Sequence, residues 1–296
     1  MTASPFLRIN GRDEIVGANL PVRRSLPHRE RRAIGPFVFF DHMGPARLGP
    51  GEGVDVPPHP HIGLATVTFL FDGELMHRDS LGSELTITPG DINLMTAGHG
   101  IVHSERSPAQ RDGERGIHGL QTWLALPVPV EDGVSDFRHY PAATLPVVQR
   151  DGATVRVLIG ELYGQVSPVA VASPTLYAVV DLPAGATLTL PADYAERGVY
   201  PVDGSLTLDG EPFAARELAV LPEGAVVTAR ADAPVRFALF GGAPLDGPRA
   251  MWWNFVASER ALIERAAEDW EAGRRFGDVP NETERLPLPA TRLRQG

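Results

Sequence analysis

Short apolar stretches separated by glycine and proline run through most of this chain, and they limit the folds that it can adopt. The 296 residues include 31 glycines and 28 prolines, which recur between stretches such as TVTFLF, TVRVLIG and VRFALF. Interruptions this frequent leave little room for long helices, whereas short strands joined by turns fit them well. The pattern predicts an all-β barrel or sandwich.

The strand pattern occurs twice, which indicates an internal duplication. The phrase LTITPGDINLM is matched by ELAVLPEGAVV, and FDGELMHRDSLG is matched by VDGSLTLDGEPF. A β-unit of about 130 residues that occurs twice predicts two barrels in tandem. We therefore expect one domain at 1–140, a second at 146–250, and a helix with an extended tail at 251–296, with a proline-rich join at 126–146.

One helix is predicted after the second unit. Ser258 can N-cap the segment that follows it, in which Ile263, Ala266, Ala267 and Trp270 recur at helical spacing. A helix with one apolar stripe is expected to dock that stripe on a barrel.

The composition excludes several kinds of chemistry. The chain has no cysteine and all 27 of its basic residues are arginine, so thiol catalysis, disulfides and lysine Schiff bases are excluded. A net charge of −10 argues against direct nucleic-acid binding. No apolar run reaches about 18 residues and no signal-like segment is visible at the N-terminus, so we expect no membrane segment and a cytoplasmic location.

Two short motifs carry candidate metal ligands. His59 and His61, and likewise His103 and Glu105, stand at positions i and i+2, which point to the same face of a β-strand. Two such strands side by side would bring together three imidazoles and one carboxylate, a donor set that suits iron, manganese, nickel, copper or zinc. All nine histidines lie at or before residue 139. The alternative is that these histidines are scattered on loops.

The motifs resemble the first metal motif of the cupin barrel and, among two-barrel cupins, the pirin family. Gly53 stands six residues before His59, as in the cupin motif. The usual glutamate is absent, because Ala65 stands there, and a carboxylate appears instead at Glu105, beside His103. Together with the segments GPFVFFDHMGP and WEAGRRFG, the resemblance covers nearly the whole chain.

The resemblance to the pirin family implies an all-β fold of two cupin (jelly-roll) barrels in tandem, followed by a C-terminal helix. It implies that His59, His61, His103 and Glu105 hold one divalent transition metal in the first barrel, and that the second barrel is metal-free. Iron is the expected metal, with manganese, nickel, copper and zinc as alternatives. Some members open flavonols such as quercetin with dioxygen, and others are metal-dependent regulators.

Two functions therefore remain as alternatives. The first is a metal-dependent dioxygenase that takes dioxygen and a small flat polyphenol such as quercetin, with Glu105 as metal ligand and catalytic base. The second is a regulatory protein whose metal or redox state controls its binding to a partner enzyme or transcription factor, without turnover. An open slot beside His59 and oxygen uptake would favour the enzyme.

Other residues are weaker candidates for the same site. If the strand of His61 continues without a break, a series of small and then large residues would share its face and form a slot for a flat ligand: Gly63, Ala65, Val67, Phe69 and Phe71. Ordinary barrel taper explains the same series. Candidates for orienting a ligand imidazole, or else for hydrogen bonding in a hairpin or the core, are Asp41, His42, His77, Asp79 and His118. His99, between two glycines, is a candidate for substrate contact.

Overall fold

The regular structure of this protein is almost entirely β-strand, as the sequence predicts. The computed structural model describes residues 4–17 and 20–291, and within them α1 (Arg260–Glu271) is the single α-helix. Two short 3-10 turns, Val128–Val130 and Ala142–Thr144, accompany it.

The strands are short and follow one another closely. Those up to residue 140 are β1 (Leu7–Asn10), β2 (Arg12–Val16), β3 (Leu20–Leu26), β4 (Phe37–Leu48), β5 (Asp55–His61), β6 (Leu64–Asp72), β7 (Leu75–Asp79), β8 (Glu84–Ile87), β9 (Ile92–Thr96), β10 (Ile101–Arg106), β11 (Arg115–Ala125) and β12 (Asp136–Tyr140). The later ones are β13 (Val147–Arg150), β14 (Ala153–Ile159), β15 (Glu161–Leu162), β16 (Gln165–Val166), β17 (Thr175–Leu182), β18 (Thr187–Leu190), β19 (Glu196–Asp203), β20 (Leu206–Leu208), β21 (Glu211–Phe213), β22 (Glu217–Val220), β23 (Val227–Arg230), β24 (Val235–Gly242), β25 (Ala250–Trp252) and β26 (Phe255–Ala257).

Two pairs of sheets repeat the same strand order. The earlier strands form a seven-stranded sheet in the order β12-β9-β6-β11-β4-β3-β2 and a four-stranded sheet in the order β5-β10-β7-β8. The later ones form β1-β22-β19-β24-β17-β14-β13 and β18-β23-β20-β21. Each strand of one set therefore has an equivalent in the other: β5 corresponds to β18, β7 to β20 and β10 to β23. The duplication inferred from the sequence is present.

One of the two phrase matches used to infer the duplication is out of step by one strand. The phrase FDGELMHRDSLG covers β7 and its flanking turns, and its match covers the equivalent β20. In contrast, the turn in LTITPGDINLM joins β8 to β9, whereas the turn in ELAVLPEGAVV joins β22 to β23. Short Pro-Gly turns recur at several hairpins of one barrel, so their similarity alone does not fix the register of a repeat.

Contacts between residues divide the chain into two compact units. One holds the described parts of Met1–Asp13, Arg23–His42 and Tyr140–Pro244, and the other holds those of Glu14–Val22, Met43–His139 and Leu245–Gly296. The first unit contains β1 together with most of the later strands, and the second contains α1 and the tail together with most of the earlier strands. The boundaries 1–140, 146–250 and 251–296 follow the sequence repeat and remain a prediction.

The C-terminal helix docks its apolar stripe as expected but begins differently. Ile263, Ala266 and Trp270 are buried in a cluster with apolar residues of β26. Glu259, not Ser258, occupies the N-cap position. The Ser258 amide and hydroxyl both donate to the Glu131 carboxylate. The Ser258 hydroxyl therefore binds Glu131 and does not cap the helix. No helix in residues 4–17 and 20–291 is long and apolar enough to cross a bilayer.

Candidate metal centre

The four-stranded sheet β5-β10-β7-β8 places most of the candidate ligands on one face. β10 lies between β5 and β7 and runs antiparallel to both. His103 is directly opposite His59 on one side and Asp79 on the other, and Glu105 is opposite His77. Residues directly opposite in antiparallel strands share a face, so one central strand aligns both groups.

Three imidazoles meet on that face. His59, His61 and His103 each offer a ring nitrogen within 4.8 Å of the others, a group that can hold a metal ion. His61 Nε2 and His103 Nε2 lie 3.1 Å apart. All three side chains are buried, with exposed fractions of 7%, 1% and 1%.

Two of the three rings are fixed by backbone carbonyls. His59 Nδ1 donates to the Pro57 carbonyl at 2.9 Å, and His61 Nδ1 donates to the Asn254 carbonyl at 3.1 Å. A proton held on Nδ1 leaves Nε2 with its lone pair, which is the form that binds a metal. The anchoring of His61 comes from residue 254, almost two hundred positions away in the sequence, so sequence reasoning could not find it.

Burial keeps these histidines neutral. Desolvation lowers the pKa of His59 from 6.5 to about 4, although the hydrogen bond to Pro57 opposes this change. Desolvation, followed by the neighbouring imidazoles, lowers the pKa of His61 and of His103 well below the usual value. Neutral imidazoles at physiological pH are the protonation state that divalent transition metals require, so the donor set fits such an ion.

The third ring of the group, that of His103, is held by a series of two further side chains. His103 Nδ1 lies 3.3 Å from His77 Nδ1, and His77 Nε2 lies 2.9 Å from Asp79 Oδ2. The His77 ring stacks on Phe137, with the ring centroids 4.2 Å apart. Among the residues predicted to orient a ligand imidazole, His77 and Asp79 therefore do contact this site.

Glu105 lies on the same face but outside the group of three nitrogens. Its Oε1 accepts a hydrogen bond from Gln121 Nε2 at 3.1 Å. Burial raises the pKa of Glu105 from 4.5 to about 7, and the hydrogen bond from Gln121 only partly opposes this. The structure thus brings three of the four predicted ligands together, and the role of Glu105 as fourth ligand and base remains a prediction.

The prediction of an apolar slot after His61 is wrong. Gly63 has φ +67°, and a Cβ atom there would lie 1.9 Å from the Val256 carbonyl oxygen, so the chain turns at this point. β5 and β6 consequently belong to different sheets, and the alternation does not continue from one to the other.

Two threonines lie on the face of β6 that is turned towards the site. The Trp123 ring contacts that of His61, with centroids 5.2 Å apart, and Trp123 pairs with Thr66. Gln121, which contacts Glu105, pairs with Thr68. Thr66 and Thr68 therefore share a face with the site residues. The apolar residues that alternate with them do not. The i, i+2 spacing of Gln121 and Trp123 is the signal that could have identified both.

The remaining candidates have other contacts. Asp41 accepts two hydrogen bonds from Arg24, at 2.8 and 2.7 Å, and His42 Nδ1 lies 3.1 Å from the Tyr200 hydroxyl. The His118 ring packs on Phe71. His99 is exposed, and its Nδ1 donates to the Gly133 carbonyl at 2.9 Å. None of these contacts involves His59, His61 or His103.

Comparison with known proteins agrees with this architecture. The family model Pirin matches residues 19–124, and the model Pirin C-terminal cupin domain matches residues 177–277. A pirin-like protein of Caulobacter vibrioides is 43% identical over 92% of this chain and 95% of its own length. A putative quercetin 2,3-dioxygenase of Pseudomonas aeruginosa is 44% identical over 95% of this chain and 89% of its own.

A solved structure extends the likeness to three dimensions. The crystal structure of a quercetin 2,3-dioxygenase from Acinetobacter baumannii superposes with a TM-score of 0.92 at 36% identity, over 98% of this chain and 97% of that one. The protein is thus of the two-barrel cupin class, with a histidine cluster that can hold a metal in its first barrel. Within that class the chain belongs to the pirin family.

Proposed function

We propose that this protein is a metal-dependent dioxygenase that opens flavonols such as quercetin with dioxygen. The observation that carries the proposal is the convergence of three neutral, anchored imidazoles beside a carboxylate whose pKa is raised to about 7. The relatives whose names include quercetin 2,3-dioxygenase support the choice of substrate class.

His59, His61 and His103 would hold the metal, with Glu105 as the predicted fourth ligand. Iron is the proposed metal, and manganese, nickel, copper and zinc suit the same donors. Such an ion supplies Lewis acidity and a place to bring a substrate oxygen and dioxygen together.

The protein's own contribution would be proton handling and orientation. A carboxylate with a pKa of about 7 is matched to accepting the proton of a flavonol hydroxyl near neutral pH. The Gln121 amide holds Glu105 Oε1, and so restricts where that proton is received. Thr66 and Thr68 provide hydroxyl groups on the same face, which suits a substrate that carries several hydroxyls.

The test begins with elemental analysis of the purified native protein. The protein is then loaded with iron, manganese, nickel, copper or zinc in turn, and oxygen consumption and bleaching of the flavonol absorption band are measured with quercetin. Turnover with at least one metal supports the proposal. If no metal gives turnover, the dioxygenase proposal fails and the metal-dependent regulatory function takes its place. The cytoplasmic location and the lack of direct nucleic-acid binding remain predictions.

A further inference from the structure

The candidate metal centre has one ligand that is held differently from the other two. His59 and His61 donate to backbone carbonyls, whereas the Nδ1 of His103 faces a second imidazole that in turn contacts a carboxylate. We infer that Asp79 and His77 are positioning residues that set the tautomer of His103, and through it the nitrogen that His103 offers to a metal. The inference rests on the metal site of the proposed function, but not on its substrate.

The series of hydrogen bonds that leads to His103 starts at a carboxylate held by the backbone. Asp79 is fully buried, and its Oδ1 accepts hydrogen bonds from the amides of Leu81 and Ser83, at 2.9 and 3.0 Å. Burial alone would raise the pKa of Asp79, but the hydrogen bonds from His77 and Ser83 outweigh it and lower the pKa. Asp79 is therefore an ionised acceptor whose second oxygen, Oδ2, is left for His77.

The direction of the remaining hydrogen bonds follows from that charge. An ionised carboxylate only accepts, so the proton between Asp79 and His77 lies on His77 Nε2. We assign His77 this single ring proton, which leaves its Nδ1 as an acceptor and places the proton between the two imidazoles on His103 Nδ1. His103 Nε2 consequently keeps its lone pair and points at His61 Nε2, 3.1 Å away.

The second barrel provides an internal comparison. β20 and β23 pair there as β7 and β10 do here, and Leu208 lies opposite Ala229 just as Asp79 lies opposite His103. The second barrel thus lacks the histidine and the carboxylate together. A buried carboxylate would be costly at this place unless it had partners, so its presence only in the first barrel supports a function tied to His103.

One isosteric substitution should reverse the direction of the hydrogen bonds between residue 79, His77 and His103. In Asp79→Asn the single oxygen stays with the two turn amides, so the amide NH2 faces His77 Nε2. His77 then has to accept at Nε2 and donate from Nδ1, which makes His103 Nδ1 an acceptor. The remaining proton of His103 moves to Nε2, the nitrogen that faces the metal, and protonated nitrogen cannot bind an ion.

A second pair of variants separates the hydrogen bond from packing. His77→Phe keeps a ring to stack on Phe137 but removes the acceptor, whereas His77→Asn places an amide oxygen near the position of Nδ1. The Phe variant should lose metal affinity, and the Asn variant should recover much of it. Glu84→Gln, on the same hairpin and paired with Arg78 at its surface, is the matched control.

The experiment reads the tautomers directly in metal-free protein, by long-range nitrogen–proton NMR of the histidine rings. Wild type should show the proton of His103 on Nδ1 and that of His77 on Nε2, and Asp79→Asn should show both reversed. Competition with a chromogenic chelator should give a Kd for Zn²⁺ raised about 10–100-fold in Asp79→Asn and His77→Phe, and within twofold of wild type in Glu84→Gln.

Several results would overturn the inference. One is a wild-type His77 that is doubly protonated, another is an unchanged His103 tautomer in Asp79→Asn, and a third is equal loss of affinity in His77→Phe and His77→Asn. Circular dichroism shows whether each variant is folded. If wild type binds no metal at all, the proposed function fails, but the tautomer measurement still decides whether Asp79 and His77 orient His103.

Discussion

The two barrels have the same strand order, but at matched interior positions the first has polar side chains and the second has apolar ones. In the second barrel, β18 pairs with β23 as β5 pairs with β10, so the positions of the candidate ligands can be matched one to one. The first barrel has His59, His61, His103 and Glu105 where the second has Leu188, Leu190, Ala229 and Ala231. All four of these apolar residues are fully buried in one continuous core cluster.

The difference shows that apolar side chains can fill the matched positions of such a barrel. Packed leucine and alanine side chains close the second barrel, and burial of each leucine stabilises it by about 1.5–3 kcal/mol. The first barrel uses the same positions for polar groups that must be desolvated and hydrogen-bonded. It retains a separate apolar core at residues such as Leu20, Met43, Leu70 and Ile117.

Loss of one ligand should have the largest effect. We expect His103→Ala to lose most of its bound metal and all metal-dependent turnover while the barrel stays folded, because a core rather than an ion holds a domain of this size. Elemental analysis after gel filtration measures this loss. The matched change Ala229→His should gain no metal, since it places a lone imidazole among leucines. If the His103→Ala protein still holds near-stoichiometric metal, His103 is not one of the ligands.

Changing the carboxylate should separate chemistry from metal binding. Glu105→Gln keeps an oxygen donor but removes the charge and the proton acceptor, so turnover with quercetin should fall by about 10²–10⁴-fold. Metal content should fall far less, because three imidazoles remain. The two quantities are measured on the same sample. A parallel fall of both would mean that Glu105 acts only as a ligand.

Truncation of the equivalent strand residues should show which barrel relies on packing. Leu188→Ala should lower the free energy of unfolding by about 2–5 kcal/mol, because it opens a cavity in a filled interior. His59→Ala in metal-free protein should cost about 1 kcal/mol, the net value of one hydrogen bond. Urea denaturation of both variants measures the difference, and equal costs would contradict the contrast between the two interiors.

Acid should weaken the first barrel selectively once the metal has been removed. The pKa of His59 is about 4 in the folded chain, against an ordinary value of 6.5, and this difference corresponds to about 3 kcal/mol. Because the folded pKa is the lower one, that stability is present above pH 6.5 and is lost as the pH falls towards 4.

Hydrogen exchange, corrected for intrinsic rates, can locate that loss. Between pH 7 and pH 5, protection should fall in β5 and β10 and stay constant in β18 and β23, where there is no histidine. The leucine and alanine residues at the matched positions do not titrate, so the second barrel serves as the control within one molecule. Equal loss of protection in both barrels would mean that the histidines of β5 and β10 are not the source of the acid sensitivity.

Local periodicity was sufficient to predict much of this molecule. The i, i+2 spacing of His59 with His61 indicated two candidate ligands on one strand, and the Gly- and Pro-bounded stretches predicted two β-barrels. Ile263, Ala266 and Trp270 predicted the buried face of α1. These features depend on neighbours within a few residues, which a sequence displays directly.

The parts that could not be predicted depend on pairing between distant segments. The link from Asp79 to His103 requires the register of β7 against β10, and the anchor of His61 requires the docking of residue 254. The turn at position 63 requires glycine, because φ is positive and the Val256 carbonyl approaches too closely for a side chain. Each of these is a tertiary contact, and neither propensity nor spacing encodes it.

The docking of the C-terminal segment has a consequence for how the protein is made. A nascent chain that ends before residue 254 already contains all nine histidines, but not the carbonyl that holds the His61 proton on Nδ1. Leu286, whose amide donates to the carbonyl of Pro58 within β5, is translated later still. The His61 ring is therefore held in place only after the C-terminal segment has been synthesised and has docked.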